Sequence, residues 1–246
     1  MTEFNASHRS RILSNVLTPA VRLWLRSQVD RVEALHLHID GGDRQLLGGY
    51  IPQVSVAAEN VVYQGLHLSR VTLAGTNIRV NLGQVLRGKP LRLLEVVPVT
   101  GEAALTEMDL NASLRSPLLA QAINEFLGKL LQSSDDLLDA PVNQLNFDQM
   151  HMQLGAEQFT LSANLISASG TPTAIAIRTG LRLVNHHELQ LHQPQWLPHA
   201  QAKRGLPLTD LDGWPIDLGE DVNLQHFAIE PGQITCRGQI NVIPID

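Results

Sequence analysis

Between Leu66 and Leu82 apolar residues fall on alternate positions: Leu66 and Leu68, then Val71 and Leu73, then Ile78, Val80 and Leu82. Side chains on a strand point to opposite faces in turn, so this period of two predicts β-strands buried on one side. The pattern recurs at Leu35, Leu37 and Ile39, at Val54 and Val56, at Leu145 and Phe147, and at Met150, Met152 and Leu154. It returns at Phe159, Leu161, Ala163 and Leu165, then at Ile175, Ile177, Leu181 and Leu183. Val222 to Ile229 and Ile234 to Val242, separated by Pro231 and Gly232, read as closing strands around a turn. Gly41, Gly42, Gly48, Gly49 and Pro52 supply turns between the first two strands. Parity changes between Phe147 and Met150, which predicts a β-bulge there. The first group of strands is expected to stop near Pro98.

Two segments carry helical spacing instead. Ile12, Leu13, Val16, Leu17, Val21, Trp24, Leu25 and Val29 recur every three or four residues, with Arg9, Arg11, Arg22 and Arg26 elsewhere. This amphipathic helix, within residues 1–30, has two possible partners: an anionic membrane surface or the sheet. Thr106 with Asp109 three residues on reads as a capping-box-like helix start, and Ser116 before Pro117 as an N-cap with proline at the first helical position. Leu118, Leu119, Ala122, Ile123, Phe126, Leu127, Leu130 and Leu131 then form one broad stripe that must face a core. Residues 31–246 are expected to form a single β-rich domain, with a helical insertion near 106–138.

About ten one-faced strands set against two good helices leave apolar surface to be covered. Either the sheet curls around the helices and closes on itself, or an apolar groove stays open for a hydrophobic ligand, with Leu118, Ile123, Phe126 and Leu130 as candidate lining. The chain is 43% hydrophobic but only 4% aromatic, a composition that allows an acyl-chain groove.

Charge is distributed unevenly. The net charge is −6, yet the 35 residues from Asn60 to Leu94 lack any carboxylate and carry Arg70, Arg79, Arg87, Lys89 and Arg92. Arg70 and Arg79 lie opposite the apolar rows of their own strands, which places them on a solvated face. Arg87, Lys89 and Arg92 surround Gly88 and Pro90, where alternation lapses, and are candidates for a rim meeting lipid headgroups, with Leu86 and Leu91 beside them. The competing reading is a solvated basic turn. Two Tyr and five Phe provide little base stacking, so nucleic acid is not an expected partner.

A second candidate surface is the proline-rich stretch from Gln193 to Asp217, which shows no clear element. Trp196, Leu197, Lys203, Arg204 and Trp214 there are candidates for contact with a membrane interface, where tryptophan and basic side chains are favoured together. The alternative is a lid whose tryptophans fold back onto the core. Val16 to Val21 is interrupted by Thr18 and Pro19 and offers no signal-peptide core, and no segment reads as bilayer-spanning. With a single cysteine, Cys236, the expectation is a cytoplasmic protein able to associate peripherally with membrane.

Catalytic chemistry finds little support among the ten histidines. His36, His38 and Asp40 share one strand face, a spacing compatible with a metal but explained more simply as the polar side of an amphipathic strand. His187, Glu188 and His192 miss the HExxH spacing by one residue, which puts the two histidines on opposite faces of a strand. No nucleophile elbow, phosphate-binding glycine loop or dinucleotide fingerprint occurs. No catalytic residue, metal or cofactor is expected.

The runs YIPQVSV (50–56), YQGLHLS (63–69), NIRVNLGQVLRGKPLRLLE (77–95) and LTEMDLNASLRSPLLAQAI (105–123) resemble cyanobacterial members of the LmeA-like phospholipid-binding family over roughly residues 10 to 190. The resemblance implies an α+β fold in which a strongly curved antiparallel β-sheet wraps around one or two helices, similar to tubular lipid-binding domains. It also implies non-catalytic binding or transfer of phospholipid or another acyl lipid such as a fatty acid at a membrane surface. The alternative function is a non-catalytic scaffold for a membrane or a complex. Mycobacterial relatives are exported, and with no export signal read here their compartment is not carried over.

Overall fold

The computed structural model describes residues 6–117, 119, 120, 123, 126, 146–166 and 172–244, with side chains from residue 16 onward except at residues 146 and 147. Leu118, Ala122, Leu127, Leu130 and Leu131 of the expected helical stripe, and Leu145, lie outside these residues. Helix α1 (Ala6–Ser27) leads into β1 (Arg31–Asp40), a short α2 (Asp43–Leu47), β2 (Tyr50–Tyr63), β3 (Leu66–Arg79), a single turn α3 (Leu82–Val85), β4 (Val97–Thr106) and α4 (Glu107–Ser113). Strands β5 (Asn146–Leu154), β6 (Phe159–Ile166), β7 (Pro172–Asn185), β8 (Glu188–Leu197), β9 (Leu206–Pro207), β10 (Pro215–Asp217), β11 (Val222–Glu230) and β12 (Gln233–Val242) follow. The protein is thus mainly antiparallel β with few helices, as expected of an α+β chain.

The strands divide between two sheets. The first runs β1-β2-β3-β4-β12-β11, and the second β10-β8-β7-β6-β5 with β9 paired to β8. The closing hairpin returns to the first sheet: β12 lies along β4 from Gln233 opposite Thr106 to Val242 opposite Val97. The second sheet is therefore inserted between two parts of the first. Alternation fixes which side of a strand is apolar but leaves its partner open, so this division was not visible in the sequence.

Two sequence expectations need correction. Strands do not stop near Pro98, because β4 continues from Val97 to Thr106. Its core-side row is Val97, Val99, Gly101, Ala103 and Leu105, thin at its centre because Leu73 of the neighbouring strand occupies the space. A Cβ on Gly101 would lie 2.6 Å from Leu73 Cδ2. Nor does regular structure lapse at Gln193. β8 persists to Leu197 through a bulge in which Gln193 and Pro194 oppose Thr179 alone, with Gln193 at φ +50°. The bulge removes the ladder position where the missing proline N–H would be needed.

Other local signals hold. The expected bulge falls at Gln149 and Met150, with Gln149 at φ +52° and the register shifted between Asp148 and His151. The shift restores Met152 and Leu154 to the core side, where both are buried. Thr106 and Asp109 form a capping box: the Asp109 N–H donates to Thr106 Oγ1 at 3.2 Å and the Thr106 N–H to Asp109 Oδ2 at 2.9 Å. Ser116 Oγ accepts the Leu119 N–H at 3.2 Å, as an N-cap before Pro117 should.

Of its two possible partners, the amphipathic helix α1 takes the sheet. Leu17 and Val21 are buried, with Ala20, Trp24 and Leu25 packed beside them, against Val54 and Val56 of β2 and Ile78 of β3. Leu46 of α2, Leu82 of α3 and Leu91 join the same cluster. Each large side chain sealed there contributes roughly 1.5–3 kcal/mol of gross burial. A larger cluster gathers Leu110, Leu114, Ile123 and Phe126 with the inner face of the second sheet, and takes Phe227, Ile229 and Ile234 from the closing hairpin of the first. Among the described residues no helix is long and apolar enough to cross a membrane.

Candidate functional site: a sheet concavity and a basic loop

An open concavity of about 570 Å³ crosses the first sheet from β1 to β11. Strand register explains its composition. His36, Ala57, Thr72, Glu102 and Arg237 are successive partners on β1, β2, β3, β4 and β12, and His38, Ser55, Ala74 and Thr100 form the next rung. Small side chains in the middle strands leave room, while imidazole, carboxylate and guanidinium groups stand toward the sides. His38 Nε2 lies 3.0 Å from Asp40 Oδ1, and His36 and His38 are exposed. Leu37, Val56 and Leu73 alternate with these residues, so their side chains turn to the opposite face and join the cluster beneath α1. Ala57, Ala74 and the methyls of Thr72 and Thr100 add apolar contact on the same face as the polar groups, for a ligand lying across the strands. Sequence reading placed His36 and His38 on a polar face but missed Glu102 and Arg237, because only the return of β12 to β4 sets them side by side.

The expected basic rim lies at one end of this sheet, between β3 and β4. Arg87, Lys89 and Arg92 are all exposed, and Leu86 beside them is 54% exposed. Leu91, expected at the rim, is instead buried with Leu82 in the cluster beneath α1. The loop is built on Asn81, which is 8% exposed. Its Nδ2 donates to the Pro90 carbonyl at 3.0 Å and to Gln84 Oε1 at 3.2 Å, and its Oδ1 accepts the Arg92 N–H at 2.7 Å. One buried carboxamide thus closes the loop, with Leu82 and Leu91 as apolar anchors on either side. Gly88, at φ +79°, makes the turn between Arg87 and Lys89. Asn81 carried no sequence signal for this role, since the two backbone groups it ties together lie nine and eleven residues away.

Arg70 and Arg79 are exposed, as their parity implied; Arg79 pairs with Glu95 at 3.4 Å and lies 5.7 Å from the Tyr50 ring centroid.

The candidates from the proline-rich stretch separate. Leu197 is 1% exposed, and half-buried Trp196 and Trp214 pack against the second-sheet core, with the Trp214 ring 6.1 Å from that of Phe126. Lys203 and Arg204 face solvent, and Arg178 Nη2 donates to the Ala202 carbonyl beside them at 2.7 Å. Backbone bonds from Leu208 to Pro194 and from Gly213 to Leu191 fasten the segment to β8. Of the candidate groove residues, Ile123 and Phe126 are buried in the same core, and Leu118 and Leu130 lie outside the described residues. Among the described residues no three His, Cys, Asp or Glu side chains are grouped to hold a metal ion.

Fold and surfaces together define an antiparallel α+β protein with an open, mixed-polarity concavity and a basic loop at one end of its first sheet. A family model described as LmeA-like phospholipid-binding matches residues 9–239, so the chain belongs to that family. Neither the curated proteins nor the solved structures contain a match.

Proposed function

We propose that this protein binds phospholipid, or another acyl lipid such as a fatty acid, without catalysis, and exchanges it with an anionic membrane surface as a peripheral protein on the cytoplasmic side. The observation carrying this reading is the concavity across the first sheet of a chain whose family is described as phospholipid-binding. Its lining suits an amphiphile: His36, His38 and Arg237 offer hydrogen bonds and positive charge to a phosphate, and Ala57, Ala74 and the methyls of Thr72 and Thr100 offer apolar contact to an acyl chain. A sheet curved around its ligand and covering helices accounts for the breadth of the concavity. Arg87, Lys89 and Arg92 would meet headgroups at the sheet end, and Lys203 with Arg204 would add a second basic contact.

Native mass spectrometry of the purified protein, before and after incubation with phospholipid vesicles, tests the reading. Near-stoichiometric lipid on the protein, reduced when exposed Ala57 is replaced by Asp, is the expected result. Bare protein under both conditions would sink it.

A further inference from the structure

We propose that the end of the first sheet carrying the β3–β4 loop is the surface that docks on an anionic lipid bilayer. The proposal rests on the lipid reading above for its choice of partner, and it adds where on the molecule that partner sits. Register places the ends of β1 and β3 beside the starts of β2 and β4: Tyr50 is opposite Arg79, Asp40 opposite Gln53, and Val97 opposite Val242. The Val80 N–H donates to the Gly49 carbonyl at 2.8 Å, which ties the α2 connection to the β3–β4 loop. Residues 41–49, 80–96 and 243–244 therefore share one end of the sheet.

That end is where exposed apolar surface accumulates. Leu47, Leu86, Leu94, Val96 and Ile243 are 49%, 54%, 58%, 53% and 54% exposed, five of the eleven large apolar side chains left exposed among the described residues. They are interleaved with exposed Arg44, Arg87, Lys89 and Arg92, and none of these four has an ion-pair partner among the described residues. Two nearby carboxylates are paired, Asp40 against His38 at 3.0 Å and Glu95 against Arg79 at 3.4 Å, and Asp43 is half-buried in the first turn of α2. Exposed Glu220 and Asp221 lie at the same end but to one side, before β11, two strands beyond β4. In a chain of net charge −6 this end concentrates unpaired cations.

The loop's construction fits the same role. Buried Asn81 and the anchors Leu82 and Leu91 hold the backbone, so Leu86, Arg87 and Lys89 are presented outward on a fixed turn. Leucine for the acyl boundary with arginine and lysine for lipid phosphates is the chemistry of an interfacial contact, and charge complementarity selects an anionic bilayer over a neutral one.

Sedimentation with vesicles of phosphatidylcholine, with and without phosphatidylglycerol, tests the surface. Wild-type protein is expected to bind the anionic vesicles preferentially and to release as salt rises. R87A/K89A/R92A should weaken that binding at least about tenfold, as should L86S/L94S, while M108S, at the opposite end of β4, should leave it unchanged. Equal binding to both vesicle types, or equal loss in M108S, would overturn the assignment. Native mass spectrometry on the same variants separates the two proposals. A lipid load retained without vesicle docking refutes only the docking surface, and docking without any lipid load refutes only the lipid-carrying reading.

Discussion

Asn111 and Met152 are joined by two hydrogen bonds: Asn111 Nδ2 donates to the Met152 carbonyl at 2.8 Å, and the Met152 N–H donates to Asn111 Oδ1 at 2.9 Å. The carboxamide acts as one further strand residue on the open edge of β5. Glu107 adds a third contact, its Oε2 accepting the Leu154 N–H at 2.7 Å. On the other side of α4, Ser113 Oγ accepts the His67 N–H of β3 at 2.7 Å. This single two-turn helix therefore fastens the inserted sheet to the first one.

Asn111→Ala leaves a β5 donor and acceptor without partners, and an expected loss of about 1–3 kcal/mol follows. Chemical denaturation measures it, and a midpoint unchanged from wild type would remove α4 from its joining role. Asn111→Asp retains the acceptor and should fall between the two.

Asn81→Ala is expected to loosen the basic loop more than it unfolds the protein. The Arg92 N–H and Pro90 carbonyl lose their partner, so limited proteolysis should cut between Leu82 and Arg92 faster than in wild type. Equal cutting rates would mean that the apolar anchors alone hold the turn.

Helix α1 offers a contrast between two leucines. Leu17 is 2% exposed and Leu23 is 72% exposed. Leu17→Ala should cost about 2–5 kcal/mol through the cavity it leaves, and Leu23→Ala should stay within about 0.5 kcal/mol of wild type. Thermal unfolding of the pair decides whether the helix is part of the folded core, and equal stabilities would argue against it.

Gly238→Ala is expected to disrupt the closing hairpin. An added Cβ would lie 2.8 Å from Leu224 Cα and still closer to the Asn223 carbonyl oxygen, both backbone atoms at the β11 bulge. Destabilisation of about 1–3 kcal/mol is anticipated from the forced shift. Hydrogen exchange should localise it to β11 and β12, and unchanged protection there would count against the packing argument.

Burial raises the Cys236 thiol above its usual value of 9.0, partly offset by a backbone hydrogen bond at Ala103. The folded state thus holds the proton more tightly than the unfolded state does. Stability from this group is complete below pH 9.0 and declines as pH rises above it. Cys236→Ser should flatten that alkaline decline in pH-dependent unfolding. Alkylation of native Cys236 at pH 8 should also run slower than in the unfolded chain, and equal rates would contradict the burial.

The residues themselves determined what is local. Alternation located most strands, Thr106 with Asp109 and Ser116 with Pro117 announced two helix starts, and a parity change before Met150 announced a bulge, because each depends on neighbours within a few positions. The basic composition of the β3–β4 loop was legible for the same reason. Tertiary structure decided the rest. Gly101 made β4 invisible until Leu73 was seen to fill its place, and Pro194 hid a strand whose bulge tolerates it. The amphipathic stripe of α1 was compatible with a bilayer as well as a sheet until Leu17 and Val21 met β2. The concavity needed β12 to return beside β4, bringing Arg237 next to Glu102 from far along the chain. A one-sided pattern states which face must be hidden, and only the assembled fold states what hides it.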